Sequence, residues 1–142
     1  MKYMILTYAS QQDYDGMAGR DTGGDTGKPA WTAEDFAAMG AFMEKFNNDL
    51  VESGELVETR ALAAPVLTRR LGSKDGASVV TDGPYAETQE VLAGYWIVEC
   101  DSFDRATEIA ARLADTPAPE FVRATAYADI RPIVEGQEDL VG

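Results

Sequence analysis

An α+β domain built on an antiparallel sheet is the fold class this chain predicts, and three observations carry it. Strand-like and helix-like patterns follow one another as β-α-β, a hairpin, then β-α-β. A length of 142 residues fits one core of ordinary size. Hydrophobic residues at 45% and charged residues at 26% lie close to globular averages, so that core has the material to form. The chain therefore reads as a single domain over 1–142.

Lys2 to Tyr8 is rich in aromatic and β-branched types and reads as the first strand. From Ala9 to Ala30, glycine and proline are interleaved with Asp13, Asp15, Asp21 and Asp25, a composition that buries little apolar surface. This stretch, 9–30, reads as a flexible Gly/Asp-rich insertion, either a lid or disordered. Thr32-Ala33-Glu34-Asp35 is a helix start: its hydroxyl caps free backbone N–H groups and its acids sit at the positive end of the dipole. Phe36, Met39, Met43, Phe46 and Leu50 then recur at spacings of three and four, and Gly54 stops the helix.

Leu56 to Leu62 reads as a strand, broken by Pro65. Val66 to Leu71 and Ala77 to Thr81 flank Gly72-Ser73-Lys74-Asp75-Gly76, the composition of a hairpin loop. Leu92 to Cys100 is a nearly continuous apolar run, as expected of a central strand covered on both faces. Asp101 or Ser102 caps a second helix whose Phe103, Ala106, Ile109, Ala110 and Leu113 share a face, ended before Pro117 and Pro119. Thr125 to Ile133 is the last strand, and 135–142 is an acidic tail that frays.

That order matches a split βαβ, ferredoxin-like domain with two helices on one face of the sheet and an inserted hairpin. The other face needs a partner if it is apolar. Tyr95 and Ile97 alternate with Trp96 and Val98, so neither face is polar, and pairing of two sheets in a homodimer is the economical solution.

Composition excludes several chemistries. Twelve Lys and Arg stand against 25 Asp and Glu, giving a formal charge of -13 that opposes binding to nucleic acid. The chain has no histidine and one cysteine, Cys100, which removes His-based triads and the His and Cys sets that hold zinc. No cofactor and no metal site is predicted. A lone cysteine forms no internal disulfide, the opening apolar stretch is too short for a signal peptide, and no window suits a membrane span, so a soluble cytoplasmic protein is expected. Thr22 to Pro29 looks like a phosphate loop, yet Thr22 replaces the first glycine and Pro29 the magnesium-binding hydroxyl. Asp13-Tyr14-Asp15-Gly16 opens like a calcium loop, but its glycine comes early and Gly24 stands where a carboxylate belongs. A solvated acidic loop is the reading, with an all-oxygen cation site as the alternative. Cys100, between Glu99 and Asp101, reads as an inert buried thiol.

One motif survives. In Val80-Thr81-Asp82-Gly83-Pro84-Tyr85-Ala86-Glu87-Thr88-Gln89-Glu90-Val91-Leu92-Ala93-Gly94-Tyr95, the Asp-Gly-Pro step forces a rigid turn, since glycine permits positive φ and proline fixes its own. The segment resembles the signature of the DGPF branch of the YCII-related family, Asp-Gly-Pro-Phe-Ala-Glu-Thr-Lys-Glu running into a Leu-Gly-Gly-Tyr strand. Tyr85, Gln89 and Ala93 are mild departures from it. Met1-Lys2-Tyr3-Met4 and Ile130-Arg131-Pro132-Ile133 are similar to the family's first and last strands. The resemblance implies a ferredoxin-like domain that dimerises through its sheets into an α/β barrel enclosing a pocket. It also implies an association with extracytoplasmic-function sigma factors. A histidine and an aspartate recur in many members, but this chain has no histidine, so only Asp82 remains as a candidate acid.

Two functions are therefore expected. The first is a non-catalytic, small-ligand-binding or regulatory module linked to transcription initiation, whose partners are a second copy of itself, a small molecule and a basic protein such as a sigma factor. The second is a cofactor-independent enzyme, with Asp82 or Glu87 as general base, Tyr85 or Tyr95 as donor and Arg131 holding an anionic substrate. Asp82, Tyr85, Glu87, Tyr95 and Arg131 are the candidate ligand-binding residues in either case. Against these readings, capping of the Gly83-Pro84 turn is what an Asp in the position of Asp82 usually does, and an ion pair with a nearby acid is the commoner role for Arg131.

Overall fold

The computed structural model describes residues 1–20 and 30–142. Its elements are β1 (Lys2–Ala9), α1 (Gln11–Met17), α2 (Ala33–Glu52), β2 (Leu56–Ala61), β3 (Arg69–Lys74), β4 (Ala77–Asp82), β5 (Val91–Glu99), α3 (Phe103–Ala111), α4 (Glu120–Arg123) and β6 (Ala128–Pro132). This is a mixed α+β fold. Four strands form one antiparallel sheet in the order β2-β5-β1-β6, and β3 and β4 form a separate two-stranded ribbon.

Strand alternation decides where the core lies. Tyr3 and Ile5 of β1 and Trp96 and Val98 of β5 point to one face, where Phe46 and Leu50 of α2 and Ala106, Ile109 and Ala110 of α3 cover them. Phe46 meets the Trp96 ring edge-on with centroids 5.6 Å apart, and the Trp96 indole N–H donates to Asn47 Oδ1 at 2.8 Å. Each large side chain buried this way contributes about 1.5–3 kcal/mol. On the opposite face Met4, Leu6 and Tyr8 alternate with Tyr95 and Ile97, all half-buried. The expected cover on both faces of the central strand is thus met within the chain on one face only, because both long helices pack on the same side.

Helix α2 starts as its sequence predicts, with Thr32 Oγ1 accepting from the Asp35 N–H and Asp35 returning a bond to the Thr32 N–H. Ser102, rather than Asp101, caps α3. Three expectations are corrected. Within 9–30 the chain is not all loop: Gln11–Met17 is a helix, because Ser10 and Asp13 form the same reciprocal capping box as Thr32 and Asp35. This also removes the calcium-loop reading of Asp13 to Gly16, since the Asp13 carboxylate is committed to Ser10. The hairpin loop is two residues long, not five, because Asp75 (φ 52°) and Gly76 (φ 80°) both take the left-handed conformation of a type I′ turn. The last strand is confined to β6, since Glu120–Arg123 folds as a short helix before it. Thr22 to Pro29 lies outside the described residues, apart from which no described helix is long and apolar enough to cross a membrane.

Cys100 is buried, and that burial pushes its thiol pKa up, as expected of an inert thiol. The start of β2 is tied to α3 by a two-pronged ion pair: Arg105 Nε and Nη2 reach the two carboxylate oxygens of Glu55, each at 2.8 Å. Arg105 holds the Glu55 carboxyl below the usual range. A carboxyl depressed by folding stabilises above its unfolded pKa, and the gain is lost as pH falls through the folded value. Glu55→Gln should therefore lower stability by about 1–2 kcal/mol at neutral pH, and chemical denaturation repeated near pH ~3 should show the two proteins converging. A gap that stays constant with pH would contradict this.

Candidate functional site

A cleft of about 1200 Å³ opens between the inner face of the sheet and the helices. Its floor includes Thr7 of β1, Thr59 of β2, Gly94 and Trp96 of β5, and Ala128 and Ile130 of β6. One wall is the first half of α2 with Phe36, Met39 and Met43; the other is the end of α3 with Ala110 and Ala111 and the 3-10 turn that follows it with Leu113 and Ala114. The sequence explains the gap. The apolar stripe of α2 is longer than the core beneath it, so Phe46 and Leu50 are buried while Phe36, at the other end, is 50% exposed. Alanines on the facing wall and Gly94 in the floor leave space that longer side chains would fill. At Gly94 a Cβ would stand 3.1 Å from the Arg60 carbonyl oxygen, so β2 and β5 approach there only because no side chain intervenes.

Polar atoms in the cleft are few and mostly engaged. Thr7 donates to the Gly94 carbonyl at 3.2 Å, Thr59 donates to the Tyr95 carbonyl at 3.0 Å, and Asn47 accepts from Trp96. No three Cys, Asp or Glu side chains among the described residues are grouped to hold a metal ion. Of the acids that face the cleft, Glu90 and Glu120 are exposed and Asp13 caps α1.

Helix α1 closes one end. Its Tyr14 hydroxyl donates to the Leu62 carbonyl at 2.8 Å, Gln11 Oε1 accepts from the Val66 N–H at 2.8 Å, and the Gln12 N–H donates to the Glu87 carbonyl at 3.1 Å. Burial pushes the Tyr14 phenol pKa up. Trp31 continues the same end, its N–H donating to the Gly16 carbonyl at 3.0 Å.

The five residues expected from sequence lie elsewhere. Asp82 ends β4 with its side chain 73% exposed, paired to Arg69 Nε at 2.8 Å. Tyr85 lies under the Arg70 guanidinium, 5.2 Å from the ring centroid. Glu87 is exposed, and its backbone carbonyl supports α1. Tyr95 faces away from the helices and donates to Glu58 at 2.7 Å, a bond that holds its phenol pKa above the usual value. Arg131, exposed on β6, stands opposite Met4 of β1. None of the five lines the cleft. The structure brings Asp82 and Tyr85 to the foot of the ribbon and keeps Tyr95 and Arg131 on the outer sheet face, separated by β1. The cleft residues that sequence reasoning passed over carried a signal: Phe36, Met39 and Met43 form a stripe that runs beyond what Phe46 and Leu50 need to bury.

Two comparisons with known proteins say what the chain is similar to. The YCII-related domain family matches residues 1–131. An uncharacterized protein of Rhizobium meliloti (strain 1021) is 28% identical over 104 residues, which is 73% of this chain and 80% of that relative.

Because the Tyr14 hydroxyl ties α1 to the sheet edge, Tyr14→Phe should loosen that end of the cleft at a local cost of about 1 kcal/mol. Hydrogen exchange should become several-fold faster over residues 11–17 while the amides of β1 and β5 stay protected. Equal rates in both proteins would show that the bond does not hold the helix.

Proposed function

The chain belongs to the YCII-related domain family, and on that premise we propose that it is a non-catalytic binding module whose small-molecule ligand occupies the cleft between helices and sheet. The observation that carries this reading is the cleft itself: about 1200 Å³, walled by Phe36, Met39, Met43, Trp96 and Leu113, with its polar floor atoms already bonded to one another. Such a site rewards shape and apolar surface. An acid–base enzyme acting through Asp82 or Glu87 is the weaker alternative, since both side chains face solvent and neither reaches the cleft.

We also read the sheet as ferredoxin-like and of the DGPF branch, supported by the order β2-β5-β1-β6 and by the Asp82-Gly83-Pro84 loop. A homodimer through the outer sheet face, completing a barrel, is supported by that face's pattern. Met4, Leu6, Tyr95 and Ile97 form its half-buried middle, with Glu58 and Arg60 along one edge and Asp129 and Arg131 along the other. Arg60 shares a row with Asp129, and Glu58 with Arg131, so two copies related by a two-fold axis in the sheet plane set opposite charges against each other. A sigma factor as a further, basic partner is supported by the family resemblance and by the charge of -13.

Both tryptophans, Trp31 and Trp96, line the cleft, so their fluorescence reports on its contents. The neutral apolar dye Nile red should bind with a blue-shifted emission and quench them. Met39→Glu, which sets a charge in the apolar wall, should weaken that binding about tenfold with the melting temperature little changed. Dye binding indifferent to Met39→Glu would place the ligand elsewhere. For the dimer, light scattering should give twice the chain mass, and Ile97→Glu should give the monomer; a native chain that is already monomeric would sink the barrel.

A further inference from the structure

One polar group of the cleft is fixed in direction and left without a partner. An indole N–H can only donate, so the 2.8 Å bond from Trp96 Nε1 obliges Asn47 to present its amide oxygen there. The same bond turns the Asn47 NH2 away from the indole, and no described residue accepts from it. No fully buried side-chain polar atom among the described residues lacks a partner, so this nitrogen is open rather than enclosed by protein. Asn47 is half-buried and lines the cleft, with Met43 one helical turn before it and Trp96 in the floor beneath. Because Trp96 is itself wedged against Phe46, the amide has little freedom to turn.

The groups around it have few protons to give. Thr7 and Thr59 spend theirs on carbonyls of β5, Thr107 donates to the Phe103 carbonyl at 2.9 Å, Thr116 to the Leu113 carbonyl at 2.6 Å, and Tyr14 to Leu62. Charges stand at the margins. The Arg60 guanidinium is engaged with the Thr59 carbonyl at 2.8 Å and with Glu58 at 3.7 Å. Arg123, Glu90 and Glu120 are exposed, and the Asp13 carboxylate is committed to Ser10. An ion drawn into the apolar part, between Met39, Met43 and Leu113, would lose its hydration without gaining a counter-ion. An anion would also meet the repulsion of a chain of charge -13. An uncharged molecule with an acceptor for the Asn47 NH2 meets neither cost.

We infer that Asn47 selects the ligand of the cleft by donating to a carbonyl oxygen on an otherwise apolar, uncharged molecule. The inference rests on the cleft being the ligand site and names the class of ligand it takes. Its test uses the full chain and three naphthalenes substituted at the same position, acetylnaphthalene, ethylnaphthalene and naphthoate, each titrated by displacement of Nile red. Asn47→Asp keeps an oxygen for the Trp96 N–H and removes the NH2. It should weaken acetylnaphthalene about tenfold more than ethylnaphthalene, and naphthoate should bind the native chain more weakly than acetylnaphthalene. Infrared difference spectra give a readout that a merely structural Asn47 would not move. The ketone stretch of bound acetylnaphthalene should lie below its value in an alkane, and Asn47→Asp should return it there. An alkane-like stretch on the native chain would overturn the donor while leaving the cleft standing, even if the variant did not fold. Equal weakening of ketone and hydrocarbon in Asn47→Asp would do the same, by showing that Asn47 only supports Trp96. Naphthoate binding more tightly than the ketone would overturn the uncharged class. Failure of all three probes to displace the dye would remove the cleft reading and this inference with it.

Discussion

How far helix α2 stands off the sheet is the constraint on which the other features depend, and Trp96 sets it. The indole is the largest side chain on the central strand. It is wedged edge-on against Phe46 and fixed in rotation by its bond to Asn47. On one side of it the interior is filled by Phe46, Leu50, Ile109 and Val98; on the other it forms part of the cleft floor. A smaller residue there would let α2 settle onto Gly94 and Thr7. Core and cleft are thus two sides of one packing decision, in which the sheet offers more inner surface than the helices cover.

The Asp-Gly-Pro loop takes on a different meaning in this setting. Its acids and its tyrosine do not enter the cleft, but its backbone does something for it. Gly83 (φ 56°) turns the chain under the Thr68 carbonyl, and a few residues later Glu87 offers its own carbonyl to Gln12 of α1. Gln11 reaches Val66 from the same helix. A rigid loop is useful here as a bracket: it fixes the position of a seven-residue helix too short to persist alone in water. The motif thereby shapes the cleft without contributing a side chain to it.

Much of this was legible from sequence, for definable reasons. The succession of the sheet strands along the chain, α2 with its cap and the buried faces of α3 and β5 follow from hydrophobic periodicity and capping chemistry, which act locally. Helix α1 carried an equally plain signal, since Ser10-Gln11-Gln12-Asp13 repeats the pattern of Thr32-Ala33-Glu34-Asp35, but the glycines and aspartates after it give the region the composition of a loop. The cleft was hidden for another reason. Phe36, Met39 and Met43 have the spacing of core residues, and only the length of the sheet beneath decides whether such a stripe is buried or left facing a void. Asp82 and Tyr85 drew attention through their ordered loop, yet order in the backbone says nothing about which way it faces.

The β3–β4 ribbon has a consequence of its own. Every residue of both strands is exposed, and the four-stranded sheet pairs with neither. A two-stranded ribbon in water is close to neutral in free energy, so its pairing is an equilibrium largely separate from that of the core. Its tip can open and re-form while Trp96, Phe46 and Ile109 remain packed. The domain is in this sense two cooperative units of very unequal strength. Sequence change in the outer ribbon, Leu71 and Val80 included, is therefore decoupled from the fold that carries the cleft, and the ribbon is the part of this protein freest to diverge.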